Sequence, residues 1–239
     1  MTVTTGAAAP PVADAARLRL LQLASPTLPV GAFAYSAGLE TAVERGWVHD
    51  RASAAEWIGE QLGHGIARLD LPLLRRMQTA WAAGDTAQAR AHSTWLLACR
   101  ETAELRAQER HLGGALATLL ADIGEPALAV AAGDLARTGA DASFALLFAL
   151  AAAHWDIDPQ AACEGYGFSW LEAQCAAAVR LVPLGQTDGQ RLLLGLAARL
   201  PDLAAEAALC DDAGLAFSAP ALSVASSMHE TQYSRLFRS

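Results

Sequence analysis

Ala142-Ser143-Phe144-Ala145-Leu146-Leu147-Phe148-Ala149-Leu150-Ala151-Ala152-Ala153-His154-Trp155 is the stretch whose reading decides the fold class. It closes on an alanine run, and alanine is the best helix former because it loses no side-chain freedom on entering a helix. A second run, Ala176–Ala178, lies in the next apolar stretch, and 53% of the 239 residues are hydrophobic, enough for a sizeable core. With three Tyr, six Phe and few β-branched residues, no segment offers the apolar/polar alternation of a half-buried strand. The expected fold is all-α: a single-domain helical bundle of roughly eight to ten helices with flexible N- and C-terminal tails and almost no sheet.

Working outward, the helix punctuation sets the order. Residues 1–12 are Thr/Ala/Pro-rich and uncharged and read as a disordered lead-in, 13–215 as the helical domain, and 216–239 as a C-terminal tail of a kind that can order on a partner. Leu18, Leu21 and Gln22 mark a short helix stopped by Pro26 and Pro29, which leaves Ser25-Pro26-Thr27-Leu28-Pro29 as a stiff loop. Ser36 to Arg45 reads as a helix with Gly46 as its C-cap. Ser53-Ala54-Ala55-Glu56 has the capping-box form and opens a helix running to about Leu69. Pro72 suits the first turn of the next helix, Gly84 closes it, and Asp85 caps the longest candidate, Asp85 to about Ile123. Inside that candidate, Gly113-Gly114 predicts either a bend or a close helix contact. Further helices are expected over roughly 126–132, 142–155, 159–181 and 187–210, the last kinked or split by Pro201.

Composition then excludes whole classes of function. A net charge of −8 disfavours non-specific attraction to nucleic acid or to anionic lipid. All 17 basic residues are Arg, so the chain alone runs neither P-loop phosphate chemistry nor Schiff-base chemistry, both of which need a lysine. Cys99, Cys163, Cys175 and Cys210 stand singly on apolar stretches and read as buried free thiols in a reducing compartment. No basic-then-apolar leader and no run of about 18 apolar residues is visible, so a soluble, cytoplasmic protein with no membrane partner is expected. His49, His64, His92, His111, His154 and His229 each lack a second His three or four residues away, so no metal site is expected. His154-Trp155-Asp156-Ile157-Asp158, the best remaining group, reads equally well as a helix end followed by an Asp N-cap. The loop Pro183 to Arg191 has two glycines without the spacing of a phosphate cradle. No catalytic residue and no cofactor is assigned.

Two polar stretches remain. Arg100-Glu101-Thr102-Ala103-Glu104-Leu105-Arg106-Ala107-Gln108-Glu109-Arg110 is the densest, and composition favours a solvated helix face. The terminal run Tyr233-Ser234-Arg235-Leu236-Phe237-Arg238 is poorly suited to a core. Its residue types match binding hot spots, and a frayed terminus is an equally good account.

At these same segments the sequence resembles the UreF family of urease accessory proteins, over about Leu20 to the last residue. The resemblance is carried by Leu21–Pro26 continuing through Leu28–Phe33, by Tyr35–Glu40, by Gly46-Trp47-Val48, by Arg100-Glu101-Thr102 with Glu104-Leu105-Arg106, by Pro183-Leu184-Gly185-Gln186, and by His229 through Ser239. Ala34 and Met228 depart from the family pattern. The resemblance implies an all-helical homodimer that is not itself an enzyme. It implies a scaffold that bridges UreD (called UreH in some organisms) and the GTPase UreG, so that nickel reaches apo-urease. A regulator of the UreG GTPase cycle, with an arginine such as Arg106 near the nucleotide, is the alternative. It further implies partner-binding roles for Phe33, Tyr35, Ser36, Gly38 and Glu40 and for Arg100, Glu101, Glu104, Arg106 and Gln108, with the Tyr35–Glu40 segment and the Arg100–Glu109 face toward UreG. Pro183, Gly185 and Gln186 of the turn are implied to bind a partner as well. The tail residues His229, Glu230, Gln232, Tyr233, Arg235, Leu236 and Phe237 would pack against UreD, and truncation after Ser227 is expected to leave the helical content intact.

Overall fold

The computed structural model describes residues 12–123, 125–139, 142–216 and 218–239; residues 1–11 of the expected lead-in lie outside the described residues, and Val12 already begins a helix. The elements are α1 (Val12–Leu23), a 3-10 turn (Ala32–Ala34), α2 (Leu39–Glu44), α3 (Arg51–Gln61), a π-helical segment (Leu62–Asp70) and α4 (Leu71–Ala82). They continue as α5 (Thr86–Ala98), α6 (Ala103–Ile123), α7 (Pro126–Thr138), α8 (Phe144–His154) and α9 (Pro159–Leu181). Last come α10 (Gln186–Ala197), α11 (Leu200–Leu209) and α12 (Pro220–His229). The fold is all-α, and no strand occurs among the described residues. The expected helical bundle is present; among the described residues one long candidate divides and the expected tail contains a helix.

The alanine-rich stretch becomes the central helix. Every residue of α8 from Ala145 to Ala152 is buried, and α4, α6 and α9 pack around it. Phe148 is fully buried and meets Tyr166 of α9 edge to face, with ring centroids 5.5 Å apart. Burying a side chain of that size contributes roughly 1.5–3 kcal/mol before packing is counted. The Gly113-Gly114 pair resolves as a close contact. A Cβ on Gly113 would stand 2.0 Å from the carbonyl oxygen of Ala142, so only glycine lets α6 lie against the entry to α8. Ser143 caps α8 by accepting from Leu146 N, and its hydroxyl meets Ser93 Oγ of α5 at 2.8 Å.

Several boundaries move, each for a local reason. The capping box of α3 uses Asp50 as the cap and Ser53 in the third position, with reciprocal bonds of 2.8 and 3.1 Å. The expected Ser36–Arg45 helix shortens to α2 because Ala37 and Gly38 both have positive φ. The 85–123 candidate splits after Ala98. Arg100 turns inward, and Thr102 Oγ1 accepts from Leu105 N to start α6 afresh. At the π-helical segment α3 passes into α4 without a break, since Gln61, Leu62, Asp70 and Leu71 all keep right-handed helical angles. Asp85, Asp158 and Pro201 stand at the helix starts expected of them.

The C-terminal segment departs furthest from expectation. It is not a loose tail: it forms α12 and then a strap whose Phe237 is 5% exposed and whose Ser239 is buried completely.

Candidate functional site

Three stretches far apart in sequence converge where the strap docks. Glu40, at the start of α2, accepts hydrogen bonds from Leu236 N (2.6 Å) and Phe237 N (2.9 Å). The carbonyl of Ser239 accepts from both the backbone N–H and the hydroxyl of Ser36, at 2.8 and 2.6 Å, and Arg238 N donates to the carbonyl of Ala34. Glycine at position 38 permits this turn. A Cβ there would lie 3.1 Å from that of Ala225 in α12, at a backbone φ of +74°.

His229, wholly buried, sits between two carboxylates: Nε2 is 3.3 Å from Glu40 Oε2 and Nδ1 is 2.8 Å from Glu104 Oε2. Each ring nitrogen thus faces a carboxylate oxygen, one on α2 and one on α6. The other oxygen of Glu104 accepts from Arg235 at 2.9 Å, which completes a chain from α2 through α12 to α6 and the strap. Lesser bonds reinforce it: Thr41 to Gln232, Thr102 to Ser226, Ala103 N to Glu230, Glu101 to Ser223, and Ser239 to Gln108. The Arg180 guanidinium lies 4.9 Å over the ring of Phe237, and three residues further on the Pro183–Gln186 turn links α9 to α10.

A second polar cluster lies deeper. Arg100 donates through Nη1 to Asp70 at 3.1 Å, and through Nη2 to Asp70 and, at 2.7 Å, to Glu109. Tyr166 adds its hydroxyl to Asp70 at 3.1 Å. The expected solvated face of 100–110 is therefore half internal, with Arg100 5% and Glu109 9% exposed. Arg100, expected at a partner surface, spends its charge inside the chain. Burial raises the Glu109 carboxyl above its ordinary range against the opposing pull of Arg100, and burial together with the nearby carboxylates raises the Tyr166 phenol. Arg106 reaches back to the carbonyl of Arg100 at 2.6 Å.

Of the anticipated contact residues, Tyr35, Ser36, Glu40, His229 and Phe237 are buried and act as anchors. Phe33 (70%), Tyr233 (105%) and Leu236 (59%) face outward, as do Glu101, Glu230 and Arg235. Pro183, Gly185 and Gln186 are exposed as well. Asp70, Tyr166 and Ser239 carry the anchoring and were absent from the anticipated set. For Asp70 the available signal was a carboxylate embedded between apolar residues, Leu69 and Leu71.

Other chemistry finds little footing. Among the described residues no three His, Cys, Asp or Glu side chains are grouped to hold a metal ion, and His154 pairs singly with Glu125 at 3.1 Å. All four cysteines are free. Cys163 and Cys175 are buried, their thiols pushed up to about 12 chiefly by that burial, whereas Cys99 and Cys210 are half-exposed rather than buried as expected. Among the described residues no helix is long and apolar enough to cross a membrane.

Comparison with known proteins places these features in context. The UreF family model matches residues 48–197. A protein named urease accessory protein UreF from Alkalilimnicola ehrlichii is 47% identical over 224 residues, covering 94% of this chain and 96% of its own. Proteins of the same name from Dechloromonas aromatica and an Azoarcus species are 47% and 48% identical, covering 92% and 93% of this chain and 96% and 95% of theirs.

Proposed function

From the premise that this chain belongs to the UreF family of urease accessory proteins, we propose that it is a non-enzymatic, cytoplasmic, homodimeric scaffold. It bridges UreD (UreH) and the GTPase UreG so that nickel is delivered to apo-urease. The observation that carries this reading is the strap itself, whose buried His229 and Phe237 hold Tyr233, Arg235 and Leu236 facing outward. Aromatic and arginine side chains dominate interface hot spots. Held in place beforehand, they lose little freedom when a partner docks, so more of the contact energy appears as affinity.

The strap with α12 faces UreD, and the exposed part of α6 with the Phe33 corner and the Pro183–Gln186 turn faces UreG. Arg106 is engaged with the Arg100 carbonyl, which favours the scaffold over an arginine donated to a nucleotide. The test is size-exclusion chromatography with light scattering on the chain alone and with UreD and UreG. Co-elution with both, at doubled stoichiometry and with the GTP hydrolysis rate of UreG unchanged, is the expected result. Folded protein that associates with neither partner overturns the reading.

A further inference from the structure

A cavity of about 260 Å³ opens between the loop after α1, the π-helical segment, α6 and α9. Its mouth is apolar, with Pro26, Leu28 and Phe33 on the lining, and its inner wall includes the Asp70–Arg100–Glu109 cluster. Three lining side chains are more than nine-tenths buried yet hold polar atoms with no hydrogen-bond partner among the described residues. They are both amide atoms of Gln61 (5% exposed), Oε1 of Gln174 (2%) and Oε2 of Glu109 (9%).

Leaving a buried polar atom unmatched forfeits its hydration with nothing in return, so four such atoms around one cavity are expensive in a fold that needs them only as walls. Apolar residues of the same size would have filled those positions without that cost. The unmatched set is also biased: three are oxygen acceptors and one, Gln61 Nε2, is a donor. Charge points the same way. Asp70, Glu109 and Glu172 line the cavity against Arg100 and Arg180, three acidic groups to two basic ones.

We propose that this cavity is a binding site for a planar, N–H-rich cationic head of the guanidinium class, carried on a short apolar stem. The stem lies against Phe33, Pro26 and Leu28. The head donates to Gln61 Oε1, Gln174 Oε1 and Glu109 Oε2, and the excess acidic charge balances it. A guanidinium presents several donors in one plane and no acceptor, which suits a wall of acceptors better than a compact ammonium does. The head can belong to a free solute or to an arginine side chain of another protein, and the chemistry at the wall is the same.

Isothermal titration calorimetry on the full chain tests this with methylguanidinium, capped arginine (N-acetyl-arginine N-methylamide), methylurea and tetramethylammonium. One-to-one binding of a guanidinium probe is expected, with methylurea weaker and tetramethylammonium, which has no N–H, inert. Tighter binding of capped arginine than of methylguanidinium assigns the site to a protein side chain, and the reverse order assigns it to a free solute. Glu109→Gln, which keeps the shape and removes the charge, should weaken binding about tenfold or more. Gln61→Leu should abolish binding and raise the melting temperature, since it removes two unmatched atoms from the interior. The proposal is overturned if neither guanidinium probe binds at millimolar concentration, if tetramethylammonium or methylurea binds as well as they do, or if Glu109→Gln leaves the affinity unchanged. A fall in the melting temperature of Gln61→Leu, with binding retained, overturns it equally.

Discussion

Two buried polar clusters, built from similar residue types, hold different things together. In the inner one, Arg100 is clamped by Asp70 and Glu109 in the core of the domain, and the elements it joins each have other support, the π-helical segment on α4, α6 on α8, and α9 on both α4 and α8. In the outer one, His229 between Glu40 and Glu104 secures a short helix and a ten-residue strap that have few apolar anchors, Phe237 and Leu222 chief among them. The inner cluster is a polar inclusion in an apolar scaffold, whereas the outer one is the fastener of its own segment. Removing a partner from the first should harm the whole fold, and from the second chiefly one edge.

The largest expected effect tests that contrast directly. Arg100→Ala leaves two buried carboxylates without their guanidinium and should cost about 3–5 kcal/mol, read by urea denaturation as a lower midpoint for the entire domain. His229→Ala should cost less, roughly 1–3 kcal/mol, with faster amide exchange confined to 230–239 and to α12. Equal global losses for the two variants would erase the distinction between core inclusion and fastener. The Glu40/His229/Glu104 set can be sharpened further by a double-mutant cycle between His229→Ala and Glu104→Gln, where coupling of about 0.5 kcal/mol or more shows that they act as one unit.

A pH series separates the inner cluster on other grounds. Because the folded state raises the Glu109 carboxyl above its ordinary value of 4.5, its protonated form favours folding below that pH, and this contribution is lost as pH rises through the raised value. The unfolding free energy of wild type relative to Glu109→Gln should therefore decline as pH rises above 4.5, measured by denaturation at fixed ionic strength. A difference independent of pH would mean that Glu109 is not held in a desolvated site. The smallest expected effect on stability belongs to Tyr233→Ala, within about 0.5 kcal/mol, since the ring is fully exposed. The same variant should weaken association with UreD about tenfold, read by the dissociation constant. It is a cleaner probe than truncation after Ser227, which would also remove the buried His229, Phe237 and Ser239.

Much of the candidate face was legible as segments but not as an arrangement. Tyr35–Glu40 was singled out by the family resemblance, Arg100–Arg110 and the terminal run also by their polar and aromatic composition, and the structure joins them through Glu40 and Glu104. Their division into anchors and exposed groups could not be read. Phe237 is buried under Arg180 while Tyr233, four residues earlier in an equally aromatic and basic run, projects into solvent. Composition treats the two alike, and only the path of the strap tells them apart.

The amino-acid sequence by itself determined that the chain is helical, and where many helices begin and end. Alanine content, the caps at Asp85 and Asp158, Gly84 and Pro201 act through bonds and sterics spanning a few residues, so their effect survives any arrangement of the rest. Tertiary structure alone decided which polar residues are internal. Arg100 is buried because Asp70, 30 positions away, and Glu109 receive it, and Asp70 is matched in turn by Tyr166, 96 positions away. The energy of a charge depends on its surroundings rather than its neighbours in sequence, so a stretch that reads as a solvated face can become the middle of a core.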